Sequence, residues 1–328
     1  MAFDLSKRLV IGLASSALFD LSESDHVFKT QGEQSYRDYQ RDNQDLALER
    51  GVAFPFIRRL LSLNQLSPDD PPVEVILLSR NDPDTGLRVM NSIQHYQLPI
   101  TRAVFMQGQS PHPYIPAFDI ELFLSANAED VRSAVTAGYP AGQILKGMIE
   151  DDSSDTQLRI AFDFDGVLVD DEAETVYKET QSLGDFHQHE TSRQDIPHTP
   201  GPLKAFLERI AQIQQLEQDK RLNQPNYEPI LRVSIVTARN APAHKRVINT
   251  MRHWGITVNE AFFMGGVEKA KVLDVMQPHI FFDDQKLHLK PSSARLPSVH
   301  IPFGIANIER PVIDSQTLSG NKQDEQGA

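Results

Sequence analysis

A chain of 328 residues with 40% hydrophobic content can bury two cores of ordinary size, which excludes a disordered or fibrous protein. Its formal net charge of -13 argues against a nucleic-acid polymer as partner, because a phosphate backbone is gripped by clustered Lys and Arg. With no cysteine there is no disulfide, zinc–thiolate site or thiol nucleophile, and the composition suits a reducing, cytoplasmic setting.

The first apolar run, Lys7 to Phe19, imitates a signal peptide, with two basic residues ahead of apolar and small ones. The same run lies over a second-half segment that reads as a strand, so an interior strand is expected there. No run reaches the roughly 18 apolar residues of a membrane helix, and no membrane contact is expected.

In chain order, three blocks of the first half recur in the second. Leu9 to Gln31 lies over Leu158 to Thr180 without a gap, keeping Ile11/Ile160, Glu23/Glu172, Val27/Val176 and Lys29/Lys178. Ile76 to Gly108 lies over Ile235 to Gly266 with a one-residue gap, keeping Arg80/Arg239, Asn81/Asn240, Pro83/Pro242, His95/His253 and Phe105/Phe263. Leu122 to Asn127 lies over Ile280 to Gln285. Each block opens on an apolar run of strand length.

Strands alternating with helices predict a parallel sheet covered on both faces, and a duplication predicts this twice. The expected fold is therefore α/β, with two tandem doubly wound, Rossmann-like domains at 1–150 and 151–313, divided at the charged segment Glu150 to Gln157. Strands are expected near 158–163, 231–237, 260–264 and 279–283, with helices near 240–254 and 268–276. A helical cap insert at about 172–228 separates the first two strands, and 314–328 forms a flexible polar tail.

Ligands of such sheets sit at the carboxyl ends of the strands, near the point where strand order reverses. There the second half carries Asp163-Phe164-Asp165-Gly166, Thr237-Ala238-Arg239, Lys269 at a helix start, and Asp283-Asp284. Carboxylates converging on one crevice repel unless a cation neutralises them, and an all-oxygen set suits Mg2+. Asp163 can attack phosphorus in line, Asp165 can pass a proton to and from the reacting oxygens, and Thr237 and Lys269 can meet phosphoryl charge. Asp284 is the expected metal ligand with Asp163 and the Asp165 carbonyl, Asp283 orienting the shell. Ala238 and Arg239 stand where substrate would enter.

This series resembles the haloacid dehalogenase superfamily, whose motifs are an Asp-x-Asp-Gly strand end, a Thr or Ser, a Lys and an acidic pair; the resemblance supplies the roles. Through LASSALFDLSESD, LLSRNDPDTGLRVMNSIQHY, TRAVFMQG, IVTARNAPAHKRV and HIFFDDQ the chain resembles the cytosolic 5'-nucleotidase type I family along nearly its whole length. That implies magnesium-dependent hydrolysis of nucleoside 5'-monophosphates through an aspartyl-phosphate on Asp163. The alternative is a phosphatase or phosphotransferase acting on another small monoester such as a sugar phosphate. The first motif, DFDGVL, departs from the Asp-Gly-Asp-Ala form of animal members, which bears on substrate more than on chemistry. A homo-oligomer is compatible with the sequence, which does not set subunit number.

Against these stand plainer readings. A calcium loop beginning at Asp163 fails, because the sixth position needs glycine and holds Leu168. GLASSA at Gly12 to Ala17 lacks the later glycines of a dinucleotide loop. Arg239 recurs as Arg80, which fits a structural turn as well as substrate contact, and His187, His189 and Glu190 of the insert are unranked. In the first half Ala14, Ser16, Leu78, Pro111 and Ser125-Ala126 stand where the second has Asp163, Asp165, Thr237, Lys269 and Asp283-Asp284, which predicts a catalytically silent copy.

Overall fold

The computed structural model describes residues 4–147, 151–152 and 154–308. The expected tail at 314–328 lies outside them. The strands are β1 Leu9–Leu13, β2 Val73–Ser79, β3 Arg102–Phe105, β4 Leu122–Ser125, β5 Ala141–Ile144, β6 Leu158–Phe162, β7 Leu231–Thr237, β8 Glu260–Phe263, β9 Ile280–Asp283 and β10 Ser298–His300.

All ten belong to one sheet in the order β3-β2-β1-β4-β5-β10-β9-β6-β7-β8. Reading outward from the middle, each half repeats the same order, with β1 and β6 as equivalent central strands. Pairing is parallel except where β10 meets β5, with Val299 opposite Ile144 and His300 opposite Gln143. Two separate sheets were expected; the structure joins the repeats through β5 and β10, which fall outside the three matched blocks.

β1, β2 and β4 are buried along their whole length, and helices cover both faces, so their sequences read as continuous apolar runs. The Leu9–Leu13 stretch is thus an interior strand. On one face the core is continuous across the seam, through Leu13, Phe56, Ile144, Phe162, Phe282 and Val299. On the other it divides into a first-half cluster around Val10, Ile76 and Phe123 and a second-half cluster around Ala161, Val236 and Phe281.

Between β6 and β7 the chain forms helices Glu172–Thr180, Leu183–Ser192 and Lys204–Asn223. The last follows Gly201, where a Cβ would sit 2.3 Å from the Val169 carbonyl oxygen, so only glycine lets the chain pass this close. At the far end of that helix the buried Glu217 accepts from the Ile230 and Leu231 amides, satisfying the start of β7.

Strand register corrects one equivalence. Leu13 pairs with Leu77 and Phe162 with Ile235, while Ser79 pairs with Phe105 and Thr237 with Phe263. Thr237 therefore matches Ser79, not Leu78. The Arg-Asn-x-Pro motifs coincide in sequence only because the turn after β7 holds one more residue, Ala238, than the turn after β2.

Gly142 of β5 lies against the seam, where an added Cβ would be 2.4 Å from Val299 Cγ1. Gly142→Ala is expected to destabilise the protein by about 1–3 kcal/mol through overpacking, read as a lower thermal midpoint.

Candidate active site

β6 ends at Phe162, and the next peptide is still tied to the sheet, the Asp163 amide donating to the Phe282 carbonyl at 2.8 Å. Asp163 Oδ1 then accepts from the Phe164 amide at 2.7 Å, which fixes its carboxylate at the strand end. Gly166 turns the chain with a φ of 70°, and a Cβ there would fall 2.7 Å from Asp284 Cγ. The carboxyl of Asp284 is therefore packed against the loop that carries Asp163.

Lys269 opens the helix Lys269–Met276, and its Nζ lies 2.8 Å from Asp163 Oδ2 and 2.7 Å from Asp283 Oδ2. All three side chains are buried. Asp283 is saturated: its Oδ1 also accepts from the Gln285 amide at 2.8 Å, and His288 Nδ1 lies 3.3 Å from both oxygens. Burial opposes its ionisation, but the Lys269 ammonium prevails and holds its carboxyl below the usual range.

Asp284 is the opposite case. It is 1% exposed, and neither carboxylate oxygen has a hydrogen-bond partner. Burial, reinforced by the charges of Asp163, Asp283 and Glu174, pushes it up to about 10. Glu174 Oε2 is likewise buried and unpartnered. Asp163 is pushed up to about 7 by burial, with Asp283 and Asp165 adding to the shift and Lys269 opposing it.

Orphaned, buried carboxylate oxygens at this density fit a hard divalent cation, which asks for oxygen donors and supplies the missing charge. Asp284 and Glu174 offer them, and the Asp163 carboxylate lies alongside. Asp163, Asp283 and His288 also form a compact acidic cluster. The Lys269 ammonium already stands between its two aspartates, so that cluster is closed to an ion. A second grouping, Asp170, Glu172 and His198, has its Glu172 met by Arg246 and Arg193.

The expected site residues fall into two groups. Asp163, Lys269 and Asp283 touch directly, with Asp284 beside them. Asp165 is joined instead to Arg239, whose Nε and Nη2 each lie 2.7 Å from one of its oxygens. Thr237 is buried at the end of β7 and its hydroxyl accepts from the Arg239 amide at 3.3 Å, as Ser79 does from Asn81 at 3.1 Å. Ala238 is exposed. Arg80 pairs with Asp130, so the two copies of this arginine do different work.

Arg239 reaches further, to Glu190 on the helix Leu183–Ser192. Glu190 is 1% exposed and also meets Arg246 at 2.8 Å and His198 at 3.3 Å. Burial disfavours its charge, yet His198 and the arginines hold its carboxyl far below the usual glutamate range. The sequence offered Glu190 only as one unranked polar residue of the insert. Its two arginine partners lie 49 and 56 positions away, and the local signal was an acid among helical residues.

Fold and site together define an α/β protein with a buried, cation-ready carboxylate crevice at the carboxyl ends of parallel strands. A sequence-family model described as 5'-nucleotidase matches residues 1–308. The chain is 35% identical over 299 residues to the human protein named cytosolic 5'-nucleotidase 1B, an alignment covering 89% of this chain and 48% of that protein. It thus spans about half the length of that relative. The chain belongs to the 5'-nucleotidase family.

Removing the shared ammonium by Lys269→Ala leaves two buried carboxylates, Asp163 and Asp283, without their ion-pair partner. The expected loss is about 3–5 kcal/mol of folding stability, measured by denaturant unfolding. Glu190→Gln tests the second cluster through pH. Because the folded value of Glu190 lies below its ordinary 4.5, its stabilisation is complete above that pH and fades as pH falls towards the folded value. The stability gap between wild type and Glu190→Gln should therefore be widest near neutrality and close in acid.

Proposed function

We propose that this chain hydrolyses nucleoside 5'-monophosphates to nucleoside and phosphate, with Mg2+ and through an aspartyl-phosphate on Asp163. The observation that carries the reading is the pairing of a fully engaged Asp163, held by Lys269 and the Phe164 amide, with an Asp284 whose oxygens have no partner. Family membership and the name of the human relative support the substrate class.

Asp163 and Asp284, with the Asp165 carbonyl, would hold the ion, and Asp283 would orient the shell through Lys269. The bound ion would neutralise the carboxylates and polarise the phosphoryl oxygens. One Asp163 oxygen forms a bond to phosphorus as the ester P–O bond breaks, and the departing 5'-oxygen takes a proton from Asp165. Water then attacks the same phosphorus, gives its proton to Asp165, and releases phosphate with Asp163 restored.

Lys269 offsets the charge on Asp163 before attack and on the phosphoryl group during it. The Thr237 hydroxyl lies at the strand end for a phosphoryl oxygen. Both Asp165 oxygens are held by Arg239 in the fork seen here, so substrate must draw one of them away before proton transfer. Arg239 and the exposed Ala238 would then face the substrate. The first half, lacking every carboxylate of this set, acts as a silent partner in the fold, and the human relative's printed name supports a cytosolic setting.

Phosphate release from a panel of nucleoside and sugar monophosphates should be magnesium-dependent and highest on the nucleotides. Asp163→Asn is expected to lower turnover by at least about a thousandfold, the scale on which a covalent nucleophile acts. Wild-type turnover in that variant would overturn the assignment of Asp163 as nucleophile.

A further inference from the structure

β10 and the segment behind it do more than close the sheet. The backbone carbonyl of Asp284 accepts two hydrogen bonds, from His300 Nε2 at 3.0 Å and from Asn307 Nδ2 at 3.0 Å. His300 Nε2 also lies 2.8 Å from Asn307 Oδ1. Both neighbours of that nitrogen are acceptors, so it carries the proton and donates to each. His300 is 3% exposed. The Asn307 amide is fixed in turn by donation to the Phe303 carbonyl at 2.7 Å.

The segment from Ile301 to Asn307 runs as a strap over this edge of the crevice. Its start is tied to β9, the Ile301 amide donating to the Asp283 carbonyl at 3.0 Å. Its middle is tied to the loop after the first acidic motif, the Ile305 amide donating to Asp171 Oδ2. Gly304, at a φ of 72°, lies where a Cβ would be 2.9 Å from Asp171 Cβ. The strap therefore bridges the loop that follows Asp163 and the peptide of Asp284.

We infer that His300 and Asn307 are positioning residues for Asp284: by fixing its peptide they aim its unpartnered carboxylate at the cation, so that cation affinity is set from the seam between the two halves. Asp284 sits just beyond the end of β9, where no sheet hydrogen bond restrains its carbonyl, and the two donors replace that restraint. His300 lies opposite Gln143 of β5, which makes the first half a structural support of the metal ligand. Outer-shell groups of this kind govern metal affinity because they fix ligand orientation.

The inference rests on the cation reading proposed above, and calorimetric titration of the full chain with MgCl2, without substrate, separates the two. Asn307→Ala and His300→Leu should each weaken magnesium binding about ten- to hundredfold, as loss of an outer-shell partner does. Their circular dichroism and magnesium-free thermal midpoints should stay close to wild type. His300→Gln, which keeps a donor near the Nε2 position, should restore most of the affinity. At saturating magnesium the KM for a nucleoside monophosphate should not move. Wild-type magnesium affinity in Asn307→Ala and His300→Leu overturns the positioning role alone, as does a His300→Gln variant no better than His300→Leu. A wild-type chain that binds no magnesium overturns the cation reading and this inference with it.

Discussion

One buried ammonium holds the second half together chemically. Lys269 touches two carboxylates that water does not reach, and a third, Asp284, stands beside them beyond its grasp. One positive charge against three negative ones leaves an excess that a low-dielectric interior does not tolerate. Burial and the neighbouring charges accordingly push the Asp284 and Asp163 carboxyls up from their ordinary range, towards the protonated form. A divalent cation held there, as proposed above, would meet it instead by displacing protons, which would link metal binding to protonation. On the reading proposed above, this imbalance is what would draw a small, doubly charged ion into the crevice.

The first half shows that the scaffold needs none of this. Its strands repeat the same order, and Ala14, Pro111, Ser125 and Ala126 occupy the matched positions. Where the second half ties its turn by Gln285 amide donation to Asp283, the first uses donation from the Asn127 amide to the Ser125 hydroxyl at 3.1 Å. Ser15 and Ser79 hydrogen-bond at 3.1 Å in the space between the central strands. A neutral hydroxyl thus does the structural share of what a carboxylate does in the other copy. The fold of the first half thus stands without the four charged groups, which is what the proposed chemistry would lead one to expect of a copy that does not carry it.

The central strands and the acidic motifs were legible because parallel strands buried on both faces are written as unbroken apolar runs, so a carboxylate at the end of one stands out. The helices predicted near 240–254 and 268–276 form at His244–Trp254 and Lys269–Met276, the first starting late because Pro242 and its neighbours remain in the turn. The seam was not legible. β5 reads Ala-Gly-Gln-Ile and β10 has three residues, too short for a periodic signal, and they are strands because each is paired on both sides, β5 with β4 and β10, β10 with β9 and β5. The equivalence of Thr237 with Leu78 failed for a related reason. Identity in a turn, Arg-Asn-x-Pro, outweighed the weaker apolar match in the strand, whereas the physical constraint on register lies in the strand.

The two acidic motif residues are restrained from opposite sides. Asp165 is gripped by Arg239, which Glu190 fixes to the helical insert; Asp284 is held through its peptide by His300 and Asn307 at the seam. The restraints differ in kind. The grip on Asp165 takes both carboxylate oxygens, so on the proposed mechanism it would compete with proton transfer and have to yield when substrate enters. The grip on Asp284 takes only the backbone carbonyl, leaving both carboxylate oxygens free for a cation. On the proposed mechanism, the residue that would change partners is thus bound to a side chain that the insert steadies through Glu190, and the residue that would stay still is bound through its backbone to the sheet. That division follows from mobility: side-chain pairs exchange readily, whereas a peptide between a strand and a strap moves only if the sheet does.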